Sequence, residues 1–381
     1  MKIFDLPTPC YVIDEGKLED NLKILQDVEQ RTGAKILLAQ KCFSGFCEYP
    51  LISKYISGTT ASGLYEARLG YEEMGKENHV FSPAYRPQDM EEICEICDHI
   101  IFNSKAQLMT YVSVANEVYS KTGKRPSLGV RINPECSTQT DHEIYDPCAP
   151  GSRMGIRIQD MDEEIMSHIE GLHFHTLCEQ NSDDLETTLV AVEEKFGDLL
   201  KRVKWLNMGG GHHITRDDYD VERLVRLINH MKETYDVQVY LEPGEAVALN
   251  AGYNITTVLD VVENGITTLI LDTSAACHMP DVLEMPYRPP LKDSGEAGEK
   301  AFTYRMSCNT CLAGDVIGDY SFDREIHIGD KLIFEDMAIY SMVKNNTFNG
   351  IPLPAIAAMD ANGECRIIKE FGYEDFKCRL S

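Results

Sequence analysis

Short β-rich runs alternate with longer amphipathic stretches over the first two thirds of this 381-residue chain. Such alternation is typical of βα units, in which helices cover a parallel sheet, and eight units can close into a barrel. The runs are 35–39, 57–61, 79–82, 99–103, 128–132, 171–175, 204–208 and 238–242. The sequence therefore predicts an α/β fold with a (β/α)8 barrel.

Three of the intervening stretches carry apolar residues at helical spacing, which predicts helices with one buried face. Ser182 is placed as the N-cap of the second helix. The apolar stripes are Leu18, Leu22, Leu25 and Val28, then Leu185, Leu189, Val192 and Phe196, then Val221, Leu224, Val225, Ile228 and Met231.

After Glu245 the pattern changes to strand-like runs separated by Gly, Pro, Asn and Asp, which predicts a mostly β domain. We expect the barrel to occupy residues 13–248 and the β domain residues 249–381. Residues 1–12 are expected to add a strand to the β domain, because Pro7 and Pro9 isolate them from the first helix. The runs are 255–262, 267–272, 302–306, 331–334 and 366–371.

The chain is strongly acidic, with 36 basic residues against 62 acidic ones and a net charge of −26. This charge repels nucleic-acid phosphates and anionic lipid surfaces, so neither is an expected partner. No apolar run approaches the roughly 18 residues of a membrane span, and residues 1–7 lack a signal-peptide core. The sequence predicts a cytoplasmic protein.

The 13 cysteines show no disulfide framework, and none is expected to be paired. Two Cys-x-x-Cys pairs occur, Cys94 with Cys97 and Cys308 with Cys311. A structural zinc would need both pairs at one place. The pairs fall in different predicted domains, so we expect no metal site.

Lys41 follows the first predicted strand, at the end of the barrel where active sites of this fold are built. Burial there would desolvate its ammonium and make the neutral amine available for imine formation. The alternative is an ordinary surface lysine.

His173 and His175 alternate along the sixth strand, so their side chains point to the same face. They are candidates for a pair of metal ligands, for a ring stacked on a flat cofactor, or for histidines of the core.

Gly209, Gly210 and Gly211 follow the seventh strand, where bare backbone N–H groups can approach a phosphate closely. Glu242 ends the eighth strand, and its carboxylate can keep a pyridine nitrogen protonated. Either segment could instead be a plain turn. In the β domain, Cys311 and Asp315 lie in one loop with groups suited to proton transfer and amine binding. Together these features supply what pyridoxal phosphate requires of a protein.

The sequence resembles the alanine-racemase-like, fold-type III pyridoxal-phosphate decarboxylases over nearly its whole length. The resemblance is strongest to those acting on carboxynorspermidine or carboxyspermidine. The segments that carry it are 60–67, 147–153, 173–181, 209–215 and 278–288.

This resemblance implies a homodimer with active sites at the subunit interface and pyridoxal 5′-phosphate as cofactor. The implied roles are a Schiff base for Lys41, stacking on the cofactor for His175, phosphate binding for Gly209–Gly211, the ring-nitrogen partner for Glu242, a cysteine from the other subunit for Cys311, and a tyrosine near the phosphate for Tyr340.

Two departures from the family pattern concern the substrate side. Ornithine- and diaminopimelate-type enzymes usually carry Arg after Glu-Pro-Gly, where this chain has Glu245, and Gly-Pro before Thr-Cys, where it has Cys308-Asn309. A carboxylate suits a cation, so Glu245 favours a carboxylated polyamine over a substrate with a distal carboxylate. Asp281 and Asp315 are further candidates for amine contacts.

Three alternatives remain at this point. One is a diaminopimelate- or ornithine-type decarboxylase of the same fold. Another is a barrel metal hydrolase that uses His173 and His175, although 37–39 supplies no ligand. The third is a non-enzymatic pyridoxal-phosphate carrier, against which the β domain argues.

Overall fold

The computed structural model describes residues 1–139 and 143–381, and these residues divide into two compact units. The barrel unit is Asn21–Val247, and the sheet unit joins Met1–Asp20 to Ala248–Ser381. The strands, in chain order, are β1 (Cys10–Asp14), β2 (Lys35–Ala39), β3 (Gly58–Ala61), β4 (Glu77–Phe81), β5 (His99–Phe102), β6 (Ser127–Arg131), β7 (Gly171–His173), β8 (Trp205–Asn207), β9 (Gln238–Leu241), β10 (Gly252–Glu263), β11 (Thr267–Leu271), β12 (Phe302–Cys308), β13 (Val316–Phe322), β14 (Lys331–Glu335), β15 (Ala355–Met359) and β16 (Cys365–Lys369).

The α-helices are α1 (Glu15–Thr32), α2 (Tyr49–Ile52), α3 (Leu64–Leu69), α4 (Met90–Ile96), α5 (Lys105–Thr122), α6 (Glu163–Met166), α7 (Ser182–Leu200), α8 (Val221–Tyr235), α9 (Glu245–Ala248), α10 (Ala275–His278), α11 (Asp281–Glu284) and α12 (Tyr373–Lys377). Within the described residues, every helix is too short or too polar to cross a bilayer.

Strands β2 to β9 form a closed parallel barrel, which confirms the predicted fold. Each strand pairs with the next along the chain, and β9 closes the ring against β2 through the pairs Lys35–Tyr240 and Ile36–Leu241. All eight predicted runs overlap these strands. The carboxyl ends of all eight strands therefore meet at one rim of the barrel.

The three helices predicted from apolar spacing are α1, α7 and α8, and their stripes are buried apart from Val221. The predicted N-cap of α7 is wrong by one residue. Asn181 is the cap, since its side-chain oxygen accepts from the Ser182 backbone N–H, and Ser182 begins the helix with its hydroxyl donated to the Asp220 carbonyl.

The sheet unit contains one eight-stranded sheet in the order β13-β12-β11-β10-β1-β15-β16, with β14 also paired to β10. The five runs predicted here correspond to β10, β11, β12, β14 and β16. Strands β13 and β15 were not predicted, because Gly318 and Asp319 interrupt the first and three alanines weaken the second. Those alanines are largely buried, so packing rather than propensity forms β15.

Strand β1 lies inside this sheet, antiparallel to β10 and parallel to β15. All five of its residues are buried. Tyr11 packs into one apolar cluster, whereas Cys10 and Val12 pack into another, because successive side chains point to opposite faces. The sequence prediction began the barrel at residue 13, but β1 continues to Asp14 through its pairing with Met359.

Candidate active site

A pocket of about 230 Å³ opens at the rim formed by the carboxyl ends of the barrel strands. Active sites of (β/α)8 barrels lie at this rim. The pocket is lined by the ends of six strands or the residues after them, including Lys41, Thr60, Arg131, His173, His175 and Glu242. Three of the predicted site residues, Lys41, His175 and Glu242, are thus brought together.

Lys41 lies two residues after β2 and its side chain is exposed within this pocket. Its neighbours Cys42 and Phe43 are fully buried, and their backbone N–H groups donate to the Ala39 carbonyl. This turn fixes the backbone at Lys41 and leaves its amine accessible. The exposure of Lys41 differs from the burial expected from the sequence, and the desolvation of its ammonium stays a prediction.

Glu242 follows β9 and is buried, with both carboxylate oxygens hydrogen-bonded. Asn207 Nδ2 donates to Oε1 at 2.7 Å, and His173 Nε2 lies 3.2 Å from Oε2. Burial alone would raise the pKa of Glu242, but the hydrogen bonds from His173 and Asn207 hold it below its ordinary value. Glu242 is consequently ionised throughout the physiological range.

His173 is buried, and this burial lowers its pKa despite the neighbouring Glu242. The ring is therefore neutral and donates its Nε2 proton to Glu242. Its Nδ1 atom has no hydrogen-bond partner in the described chain. His173 supports Glu242 in this arrangement and is not placed to act as a metal ligand with His175.

Metal-ligand spacing occurs elsewhere in residues 1–139 and 143–381, in two groups of three side chains, neither of which includes His173 or His175. The groups are Glu77 with His79 and His99, and Glu179 with His213 and Glu245. The alternative of a barrel metal hydrolase required His173 and His175 as metal ligands. The geometry gives that alternative no support.

His175 lies just beyond β7, half-buried at the pocket wall. Its Nδ1 accepts the Gly210 backbone N–H at 2.8 Å, and its carbonyl accepts from Arg131 Nη2 at 2.7 Å. Burial and the nearby cations Lys41 and Arg131 lower the pKa of His175 well below its usual value. A neutral, oriented imidazole is suited to stacking on a flat ring.

The turn Gly209–Gly211 follows β8 and packs against the segments after β7 and β9. A Cβ on Gly209 would lie 2.3 Å from the Phe174 carbonyl oxygen, and one on Gly211 would lie 2.0 Å from the Leu177 carbonyl oxygen. Both residues also have positive φ, at 68° and 80°. Side chains are therefore excluded here, which leaves the backbone bare as a phosphate site requires.

Glu245 begins α9 and lies beside Glu179 and His213, a neighbourhood that sequence reasoning did not predict. His213 Nε2 is 3.4 Å from Glu245 Oε2. Removal of water by the surrounding protein and the adjacent Glu245 together raise the pKa of Glu179 to about 7. A bound cation would offset the repulsion between these two neighbouring carboxyl groups.

The other predicted residues belong to the sheet unit. Cys311 is exposed, and its backbone N–H donates to Asn349 Oδ1. Asp281 pairs with Lys344 at 2.5 Å, and Lys344 Nζ also lies 5.6 Å from the centre of the Tyr340 ring.

Asp315 is fully buried in the sheet unit. Its oxygens accept from Ser274 Oγ at 2.7 Å, from Thr310 Oγ1 at 2.5 Å and from the Ala276 backbone N–H at 3.0 Å. Both oxygens are thus used to anchor the turn that carries Cys311. A contact of Asp315 with substrate stays a prediction.

Comparison with known proteins agrees with this site. A family model described as "Pyridoxal-dependent decarboxylase, C-terminal sheet domain" matches residues 10–338. The chain belongs to the pyridoxal-dependent decarboxylases. The decarboxylase is 43% identical to a carboxynorspermidine/carboxyspermidine decarboxylase of Campylobacter jejuni, with 98% of each chain covered. It is 40% identical to a carboxyaminopropylagmatine decarboxylase of Synechocystis, over 100% of this chain and 97% of the relative.

The same family appears among solved structures. A crystal structure of carboxynorspermidine decarboxylase from Campylobacter jejuni, complexed with norspermidine, matches with a TM-score of 0.91 and 42% identity, covering 98% of this chain and 100% of that one. A diaminopimelate decarboxylase from Helicobacter pylori matches with a TM-score of 0.83 at 18% identity, over 99% of this chain and 98% of that one. The second likeness concerns the fold alone.

Sequence reasoning missed Arg131, which lines the pocket, and Asn207, which donates to the pocket residue Glu242. Arg131 ends β6 and Asn207 ends β8, so both lie at strand ends where candidates were sought. Their position at the ends of barrel strands was the sequence feature that could have identified them. Neither has a sequence neighbour that suggests a role, because the partners Glu242 and His175 come from other strands.

Proposed function

We propose that this decarboxylase converts carboxynorspermidine, carboxyspermidine or both to norspermidine and spermidine, as a step of polyamine synthesis. The observation that carries the proposal is the match, over nearly the full chain, to two relatives named for these substrates. The related decarboxylases named for diaminopimelate are only 22–24% identical. Action in the cytoplasm belongs to this proposal.

The pocket fits pyridoxal phosphate in three respects. Lys41 presents an accessible amine, Glu242 an ionised carboxylate, and His175 a neutral ring. The turn Gly209–Gly211 contacts His175 and excludes side chains where a phosphate would approach. These are the groups that must hold and tune this cofactor.

When bound, pyridoxal phosphate supplies a ring that withdraws the electrons left behind as CO2 departs. Lys41 would hold the cofactor through its amine. Glu242 would keep a proton on the ring nitrogen, because its negative charge favours the protonated form. His175 would pack on the ring face. The turn Gly209–Gly211, which carries no side chains, would lie against the phosphate, with its Gly209 and Gly210 N–H groups donated to Asn207 and His175.

The substrate's distal amine is assigned to Glu245, with Glu179 beside it. A bound ammonium would offset the repulsion between these two carboxyl groups. The carboxylated polyamines carry such an amine alone, whereas the distal amine of diaminopimelate is accompanied by a carboxylate, which these carboxyl groups would repel. Asp281 remains a further candidate for an amine contact.

The proposal also includes a homodimer in which Cys311 acts at the partner's pocket. It assigns to Cys311 the return of a proton to the substrate's α-carbon, and to Tyr340 a place near the phosphate. The exposure of the Cys311 thiol is consistent with a residue that reaches another subunit.

A substrate panel tests the proposal. We expect the highest kcat/KM for CO2 release from carboxynorspermidine or carboxyspermidine, with lower values for carboxyaminopropylagmatine and negligible values for diaminopimelate and ornithine. Equal or faster turnover of diaminopimelate would refute it, and preference for carboxyaminopropylagmatine would move the assignment to that substrate.

The assignment of Lys41 is tested by Lys41→Ala, with Lys54→Ala as the control at an exposed lysine of the same unit. We expect Lys41→Ala to lose the visible absorbance of lysine-bound cofactor and at least about 10³-fold in kcat. The control should retain both. Full activity of Lys41→Ala would contradict the assignment.

A further inference from the structure

Asn207 joins two parts of the site that lie on different strands. It is fully buried at the end of β8. Its Oδ1 accepts the Gly209 backbone N–H at 2.9 Å, while its Nδ2 donates to Glu242 Oε1 at 2.7 Å. The amide has one possible orientation, because the reverse would place Nδ2 against an N–H and Oδ1 against a carboxylate.

The backbone adds a second connection between the same two parts. The Glu242 N–H donates to the Gly209 carbonyl at 2.7 Å. Gly210 in turn donates to His175 Nδ1. The glycine turn, the stacking ring and the carboxylate therefore form one hydrogen-bonded assembly, in which Asn207 supplies the side-chain bond.

The donors to Glu242 are neutral. Asn207 holds one oxygen and the neutral His173 holds the other. In the described chain, no lysine or arginine forms an ion pair with Glu242 within 4.0 Å. The carboxylate is thus fixed in direction while its charge stays available to a cationic partner, which a direct lysine or arginine bond would neutralise.

We propose that Asn207 is a positioning residue that fixes the glycine turn and the Glu242 carboxylate relative to each other before the cofactor binds. His173 is the second fixing donor. The inference rests on the proposed use of pyridoxal phosphate. Asn207 would keep a constant distance between the glycine turn, which faces the phosphate, and Glu242, which faces the ring nitrogen. Preorganisation of this kind improves affinity by reducing the cost of ordering on binding.

Asn207→Asp provides a selective test because it keeps the acceptor for Gly209 and replaces the donor to Glu242 with a second carboxylate. At pH 8.5 both carboxylates would repel each other. At pH 6 the pair can share one proton, and the protonated member then donates to the other. The other titratable or charged groups acting on Glu242 include His173, Arg131, His79, His212, His99 and Tyr85, and they are unchanged in the variant.

The control is Asn78→Asp. Asn78 is a buried amide of the same barrel that lies outside the pocket, and its Nδ2 donates to the Ala67 carbonyl at 2.9 Å. Asn207→Leu is the second test variant and removes both bonds. Pyridoxal-phosphate affinity is measured on each protein after cofactor removal, at pH 6 and pH 8.5, together with the melting temperature. Each variant is compared with the wild type at the same pH.

We expect Asn207→Asp to bind the cofactor roughly tenfold or more weakly at pH 8.5, with most of the loss recovered at pH 6. Asn207→Leu should lose affinity equally at both pH values, and Asn78→Asp should lose melting temperature but little affinity. Wild-type affinity in both Asn207 variants, or a loss in Asn207→Asp that is independent of pH and equal to the control's, would overturn the inference. Absence of cofactor binding by the wild type would instead overturn the proposed function and the inference with it.

Discussion

Glu245 and Glu179 are held close together by segments that follow different strands. Removal of water and the proximity of Glu245 raise the pKa of Glu179. Glu179 follows β7 with a backbone φ of 53°, while Glu245 begins α9. A site of this kind stores repulsion in the absence of a cation.

Replacing Glu245 with Gln should weaken binding of the carboxylated polyamines. We expect KM to rise about tenfold or more with a smaller change in kcat, because a distal contact contributes mainly to binding. Steady-state kinetics measure this, with the exposed Glu233→Gln as a control of equal charge change. An unchanged KM would remove Glu245 from the amine site.

The shifted Glu179 predicts a pH-dependent stability. Because its pKa rises to about 7 on folding from the ordinary 4.5, the folded state binds its proton more tightly and loses stability as pH rises from about 4.5 to 7. Glu179→Gln should therefore raise the melting temperature at pH 8 more than at pH 5. Thermal melts at the two pH values test this, and a difference that is the same at both would contradict it.

At this scale, the residues that sequence reasoning could find are those whose own chemistry is distinctive at a strand end, such as Lys41 and Glu242. Asn207 and Glu179 could not be assigned, because an amide or an exposed carboxylate acquires meaning only from its spatial neighbours. The exposure of the Lys41 side chain could not be predicted for a related reason, because exposure depends on how the surrounding loops pack.

Among the structural elements, the glycine turn after β8 is the most sensitive to substitution. Gly211→Ala would combine a left-handed backbone with a Cβ only 2.0 Å from a backbone oxygen that cannot move aside. Gly123 has a similar φ of 75° but no atom within 4 Å of an added Cβ, so it is a matched control.

We expect Gly123→Ala to cost about 1 kcal/mol of unfolding free energy and Gly211→Ala roughly 3 kcal/mol or more. Denaturant titration of the two variants measures the difference. If both cost the same, the close approach of the turn to the Leu177 carbonyl is not the cause of its glycine.

Elements were predicted best where burial leaves a clear apolar pattern. The eight barrel strands follow from short apolar or β-rich runs, because strands buried on both faces lack alternation, and three long helices follow from apolar residues at helical spacing. Strand β15 was missed since alanine carries little strand preference, and its burial depends on partners β1 and β16 that are distant in sequence.

At the scale of the whole molecule, the sheet unit is assembled from the two ends of the chain, with β1 between β10 and β15. Val12 at the centre of β1 is almost fully buried and packs in a cluster with Ile255 and Ala357. Any disturbance of β1 therefore reaches both halves of the sheet.

Val12→Asp should cost about 3 kcal/mol or more of unfolding free energy, because it places an unpaired charge in that cluster. Ile367→Asp on strand β16, where the side chain is 37% exposed, should cost much less. Equilibrium unfolding of both variants would decide, and equal losses would argue against a central role for β1.

The placement of β1 also determines an order of events at the ribosome. Residue 14 leaves the ribosome long before residue 252, the start of the nearer of its two flanking strands. At synthesis rates of roughly 5–20 residues per second, β10 is synthesised on the order of 10–50 s after β1. During that interval the nascent chain carries an unpaired β segment, so chaperone binding near the N-terminus would be most useful for this protein while its barrel is still being translated.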